Sequence, residues 1–77
     1  MEIYVTFSRT IVGYFNVRTF AGGAQYNVRG DLFRDLSGIH PRAVTGTVAI
    51  STDTWRTIKA DRWTRKIDAA GRKEVIA

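Results

Sequence analysis

His40 is the only histidine in this 77-residue chain, and it stands directly before Pro41. A general base needs a nucleophile within hydrogen-bond reach, and a residue before proline is driven toward extended backbone. His40 therefore reads as a loop residue, not as a catalytic base. Paired carboxylates are the next candidates for acid–base work. Asp31, Asp35, Asp61, Asp68 and Glu74, however, each lie within four residues of an Arg or Lys and read as charge pairs or caps. The chain has no cysteine, so neither a thiolate–metal site nor a disulfide is available, and one histidine cannot build a His-rich site. Gly22-Gly23 leads into strand-like sequence, whereas a phosphate-cradling loop leads into a helix N-terminus. No enzyme and no cofactor are expected.

Binding chemistry is better supplied. Arg56, Lys59, Arg62, Arg65 and Lys66, followed by Arg72 and Lys73, are interleaved with Trp55 and Trp63. Cations beside aromatic rings suit phosphate contact with base stacking. Yet so small a domain can hardly spare its tryptophans, so both are expected as core anchors, with the cations a solvated rim compatible with either role. Tyr14 and Arg18 form a second candidate surface, since alternation puts them on one side of a single strand. The run Gly13–Phe20 does not make an RNA-recognition motif. Tyr14 matches the first aromatic position of that pattern, but Asn16 and Thr19 occupy the others.

The elements that must position these residues begin with Glu2–Ser8, where Ile3, Val5 and Phe7 alternate with polar neighbours as in a strand with one buried face. Ile11–Phe20 follows, rich in β-branched and aromatic residues and expected at the centre of the sheet between turns at 8–10 and 21–23. Ile11, Gly13, Phe15, Val17 and Thr19 should face the core. Gly13 in such a run signals a bulge or a close approach by a neighbour. Ala24–Arg29 is a third strand, reached through a Gly22-Gly23 hairpin turn. Asp31 is expected to cap a short helix over 32–37 that stops at Gly38, and 44–51 to form a fourth strand.

Beyond Ser51 two readings compete. In one, Thr52 caps a helix running to Ala70. In the other, a short helix over about 53–60 precedes a hairpin with its loop at 68–71. Threonines at 54, 57 and 64 weaken a long helix, and the hairpin sets opposite charges across from one another, so the second is preferred. The predicted class is thus α+β: an antiparallel sheet opening with a three-strand meander, with one or two short helices on one face. It forms a single domain over 1–77.

The net charge is +5. Residues 1–40 hold four basic against three acidic side chains, and residues 41–77 hold eight against four. This bias toward the C-terminal half suggests an acidic partner, either nucleic acid or an acidic protein surface. A domain this size is near the lower limit for one core, so a homodimer is a route to stability. The N-terminus MEIYVTFSRT lacks a basic segment followed by an apolar one, and no run reaches membrane-spanning length. A cytoplasmic location without membrane association is the default expectation.

The short cysteine-free chain, the opening meander MEIYVTFSRTIVGYFNV, the α+β layout and the lack of a catalytic set together resemble the small anti-CRISPR proteins of phages and mobile elements. The resemblance implies a non-enzymatic inhibitor, acting in the host cytoplasm, that binds a CRISPR–Cas effector complex and blocks DNA binding or nuclease recruitment. Many anti-CRISPR proteins are acidic DNA mimics. This basic chain would instead engage an acidic surface of a Cas subunit or add a DNA-contacting patch. A small basic nucleic-acid-binding module is the alternative.

Overall fold

The computed structural model describes residues 1–10 and 12–67. Five strands run β1 (Glu2–Arg9), β2 (Tyr14–Thr19), β3 (Gln25–Arg29), β4 (Thr45–Ser51) and β5 (Arg65–Ile67), with α1 (Gly30–Ser37) between β3 and β4 and α2 (Thr52–Ala60) between β4 and β5. They form one sheet in the order β4-β1-β2-β3-β5, every neighbouring pair antiparallel. The α+β class and the opening meander agree with the sequence reading, and β2 is the central strand.

Alternation explains the layers. Val5, Phe7, Phe15, Val17 and Val28 project from the sheet to one side, where Phe33 of α1 and Trp55 and Ile58 of α2 cover them. Phe7, Phe15 and Phe33 form a ring cluster with centroids 5.1 to 5.5 Å apart, a spacing at which tilted and edge-on rings attract. Leu32 and Leu36 flank Phe33 against the same core, as their spacing on α1 predicts.

Several local expectations are corrected. β1 runs on through Arg9, Val12 and Gly13 lie in a turn, and β2 begins at Tyr14. Thr10 N–H donates to the Tyr14 carbonyl and Gly13 takes φ +84°, a left-handed value open to glycine. Gly13 is thus a turn residue, not a bulge. The close approach it signals is nonetheless present: its carbonyl accepts from Gly30 N–H at 2.9 Å. Ile11 lies outside the described residues. Gly22 and Gly23 have φ +103° and +106° and make the second hairpin turn as expected. α1 starts directly at Gly30 without a side-chain cap; Asp31 sits inside its first turn, its Oδ1 accepting from Leu32 N–H. Gly38, at φ +70°, ends the helix.

The long C-terminal helix is excluded. Ser51, not Thr52, caps α2, its Oγ accepting from Thr54 N–H at 3.0 Å, and the helix stops at Ala60. Thr64 Oγ1 donates to the Ile58 carbonyl, taking up one of the acceptors a helix end leaves free. Asp61 is then tied to Arg29 of β3, which delivers the chain to the sheet edge where β5 pairs with β3. The hairpin loop at 68–71, and the strand expected after it, lie outside the described residues.

Candidate nucleic-acid interface

Among the described residues the helices cover one face of the sheet and leave the other without a helical layer, although Asn27 and Ile67 on that face are buried. Cross-strand register assigns that second face. Thr47, Thr6 and Arg18 align across β4, β1 and β2, with Gln25 and Ile67 continuing the row on β3 and β5. Thr45, Ser8, Asn16, Asn27 and Arg65 form the next row, and Tyr14 opposite Arg29 begins a third. Hydroxyls, amides and guanidinium groups dominate, as alternation requires of a sheet face that does not carry the core.

Two shallow grooves follow these rows. The larger, about 420 Å³, runs between Thr6, Ser8, Thr45, Asn16, Arg18 and Gln25 and reaches Arg9 and Thr10. The smaller, about 200 Å³, lies among Val12, Tyr14, Asn27, Trp63 and Arg65. The facing pair Asn16 and Asn27 separates them. Arg9, Arg18 and Arg65 line the grooves and no carboxylate of the described residues does, so the described lining attracts anions.

Aromatic side chains stand at both ends. Tyr14 and Trp63 flank the smaller groove. Tyr4 and Phe20, 63% and 73% exposed, meet Thr47 in a third hollow of about 250 Å³ at the opposite end. Phe20, just past the end of β2, donates its N–H to the Tyr4 carbonyl on β1, which sets the two residues side by side. From Tyr14 to Phe20 the chain advances roughly 20 Å at about 3.3 Å per residue.

The tryptophans divide, against the expectation that both anchor the core. Trp55 is buried edge-on against Tyr26 with the Lys59 ammonium over its ring. Trp63 is 46% exposed, with the Arg62 guanidinium stacked on it at 5.0 Å. The difference is positional. Trp55 is on the inner face of α2, whereas Trp63 follows the helix stop and is turned outward by the link that Asp61 makes to its own backbone N–H.

The basic segment is likewise split. Arg56 and Lys59 are exposed on α2, on the helical side, and Arg56 pairs with Asp53 at 2.8 Å. Lys66 opposes Tyr26 and so faces the helical side as well. Arg62 lies in the connecting turn. Among the described cations of the segment, Arg65 is the one that strand register puts with Tyr14 and Arg18 on the open face; Arg72 and Lys73 lie outside the described residues. Thr6, Ser8, Asn16, Thr45 and the Tyr4–Phe20 pair belong to the site but carry no motif; strand alternation was the signal that placed them together. His40 is an exposed loop residue whose Nδ1 accepts from Arg42 N–H.

One ion pair fixes the rim. Arg29 holds Asp61 through two bonds, 2.8 and 3.2 Å, and Trp63 N–H donates a third. Bonding to Arg29 first, and then to the Trp63 N–H, holds the Asp61 carboxyl below its ordinary range against the opposing effect of burial, and the same pairing raises Arg29. Arg29 is therefore committed to the fold. No cluster of three or more metal-ligating side chains occurs among the described residues, and none of their helices is long and apolar enough to cross a membrane. No protein-family model, curated protein or solved structure matches the chain.

Proposed function

We propose that this protein is a non-enzymatic binding module that takes single-stranded nucleic acid on its open sheet face. The observation that carries this reading is the arrangement along β2: a polar lane with Arg18 and Arg65 and no carboxylate among its described residues, ended by Tyr14 and Trp63 on one side and by Tyr4 and Phe20 on the other. A phosphate backbone finds arginines and hydroxyls in the lane, and unpaired bases find rings on which to stack. Duplex is disfavoured, because its bases cannot reach side-chain rings without unstacking.

The test is titration of a labelled single-stranded oligonucleotide by fluorescence anisotropy across a salt series. Replacing Arg18 and Arg65 together with Gln should weaken binding and flatten the salt dependence by about 0.7 for each phosphate no longer neutralised. Trp63→Ala should cost about 1–3 kcal/mol of affinity, the range for one stacked base. Replacing Arg56 and Lys59 with Gln should change little. Binding that ignores Arg18, Arg65 and Trp63 would overturn the proposal.

A second reading uses the same face for an acidic protein surface, as in the CRISPR–Cas inhibitor that the resemblance implies. Its support is that Tyr4, Phe20 and Trp63 are large apolar side chains exposed within polar surroundings, the composition of a protein interface. In that case a purified Cas effector complex binds the protein without added nucleic acid, and loss of Arg18 and Arg65 slows association more than it speeds release. Absence of any such complex, with phage plating unchanged on expression, would sink it.

A further inference from the structure

β4 is an edge strand, bonded on one side to β1. Arg9 N–H donates to the Val44 carbonyl and Thr52 N–H to the Met1 carbonyl. The even-numbered residues of β4 therefore spend their backbone groups on β1. In an antiparallel ladder the alternate residues then point theirs the other way. Those residues are Thr45, Thr47 and Ala49, and among the described residues nothing bonds to their backbone N–H or C=O groups.

Natural edges are ordinarily shielded by lysine, proline, a bulge or simple shortness. β4 has seven residues, TGTVAIS, without charge or proline, in unbroken register with β1. The other described edge, β5, is short and carries Arg65 and Lys66.

We infer that β4 is a homodimer interface, at which the β4 strand of a second copy pairs antiparallel about a twofold axis at Thr47. Three features select a second copy as the occupant. The strand is self-complementary: Thr47 meets Thr47, and Thr45 meets Ala49, with the outward N–H groups of each copy facing outward carbonyls of the other. On the helical side Val44, 55% exposed, comes opposite Ile50, so an exposed apolar side chain is covered. Finally, the molecule carries +5, and this edge is where two copies can meet with no cation opposite another. The product is a continuous ten-strand sheet whose two open faces lie side by side. The inference stands independently of what that face binds.

Sedimentation equilibrium of the full chain without nucleic acid, over a range of concentrations, reads the mass directly. Amide hydrogen exchange locates the interface. The expected result is a dimer whose formation slows exchange at Thr45, Thr47 and Ala49 as concentration rises. Thr47→Lys sets two cations against each other on the axis and should give a monomer with an unchanged circular dichroism spectrum, whereas Thr47→Val should keep the dimer. A monomer mass at every concentration, concentration-independent protection of those amides, or a dimer that survives Thr47→Lys would each overturn the inference.

Discussion

Asp61 shows how one side chain sets both the path of the chain and its response to acid. It stops α2, anchors the chain to Arg29 on β3 and turns Trp63 outward. Its carboxyl is held below the ordinary value, so it contributes stability that is fully present above the unfolded-state value of about 3.9. That stability is lost as pH falls through the lowered folded value. Asp61→Asn should accordingly melt at lower temperature than the wild type at neutral pH, with the gap closing only in strong acid. Thermal melts of both proteins from pH 7 down to 2 check this; a gap that is constant with pH would show that the charge of Asp61 is irrelevant. The two tryptophans mark what residue type alone can say. Nothing local separates Trp55 from Trp63, since each has an arginine as its immediate neighbour. What separates them is a helix stop that depends on an aspartate finding an arginine 32 positions earlier in the chain.

At the scale of elements, the strands with clean alternation were legible because burial on one face enforces period two. β1, β3 and β4 lie close to where the sequence places them. β2 was placed correctly in the sheet but too long at its start, because Val12 and Gly13 look strand-like while the chain needs them for a turn. The start of α1 was misplaced for a related reason. Asp31 is a good cap by type, but Gly30 enters the helix first because only glycine can pass the β1–β2 turn so closely. A Cβ on Gly30 would stand 2.7 Å from the Gly13 carbonyl oxygen, a backbone atom that cannot step aside cheaply. This yields a prediction opposite to helix propensity. Alanine in a helix interior ordinarily gains about 1 kcal/mol over glycine, yet Gly30→Ala should lower the midpoint of urea unfolding. A raised midpoint would mean that the contact is loose. β5 was legible only as part of a hairpin, since three residues are too few to show a period.

For the whole molecule, what the sequence could not assemble was the open face. The basic segment looked like one patch because its members are close along the chain, but α2 and β5 send them to opposite sides of the sheet: Arg56, Lys59 and Lys66 to the helical side, Arg65 to the open side with Tyr14 and Arg18. Charge along the chain is not charge in space, and only strand register converts one to the other. The proposed binding surface is the open face, not the helical side. Backbone and tryptophan side-chain NMR shifts, followed while a short single-stranded oligonucleotide is titrated in, separate the two faces residue by residue. The shifts should concentrate at Thr6, Ser8, Asn16, Arg18 and the Trp63 indole N–H, leaving α1 and the outer face of α2 unmoved. Shifts that concentrate at Arg56 and Lys59, or a spectrum unchanged at saturating oligonucleotide, would contradict the assignment of binding to the open face.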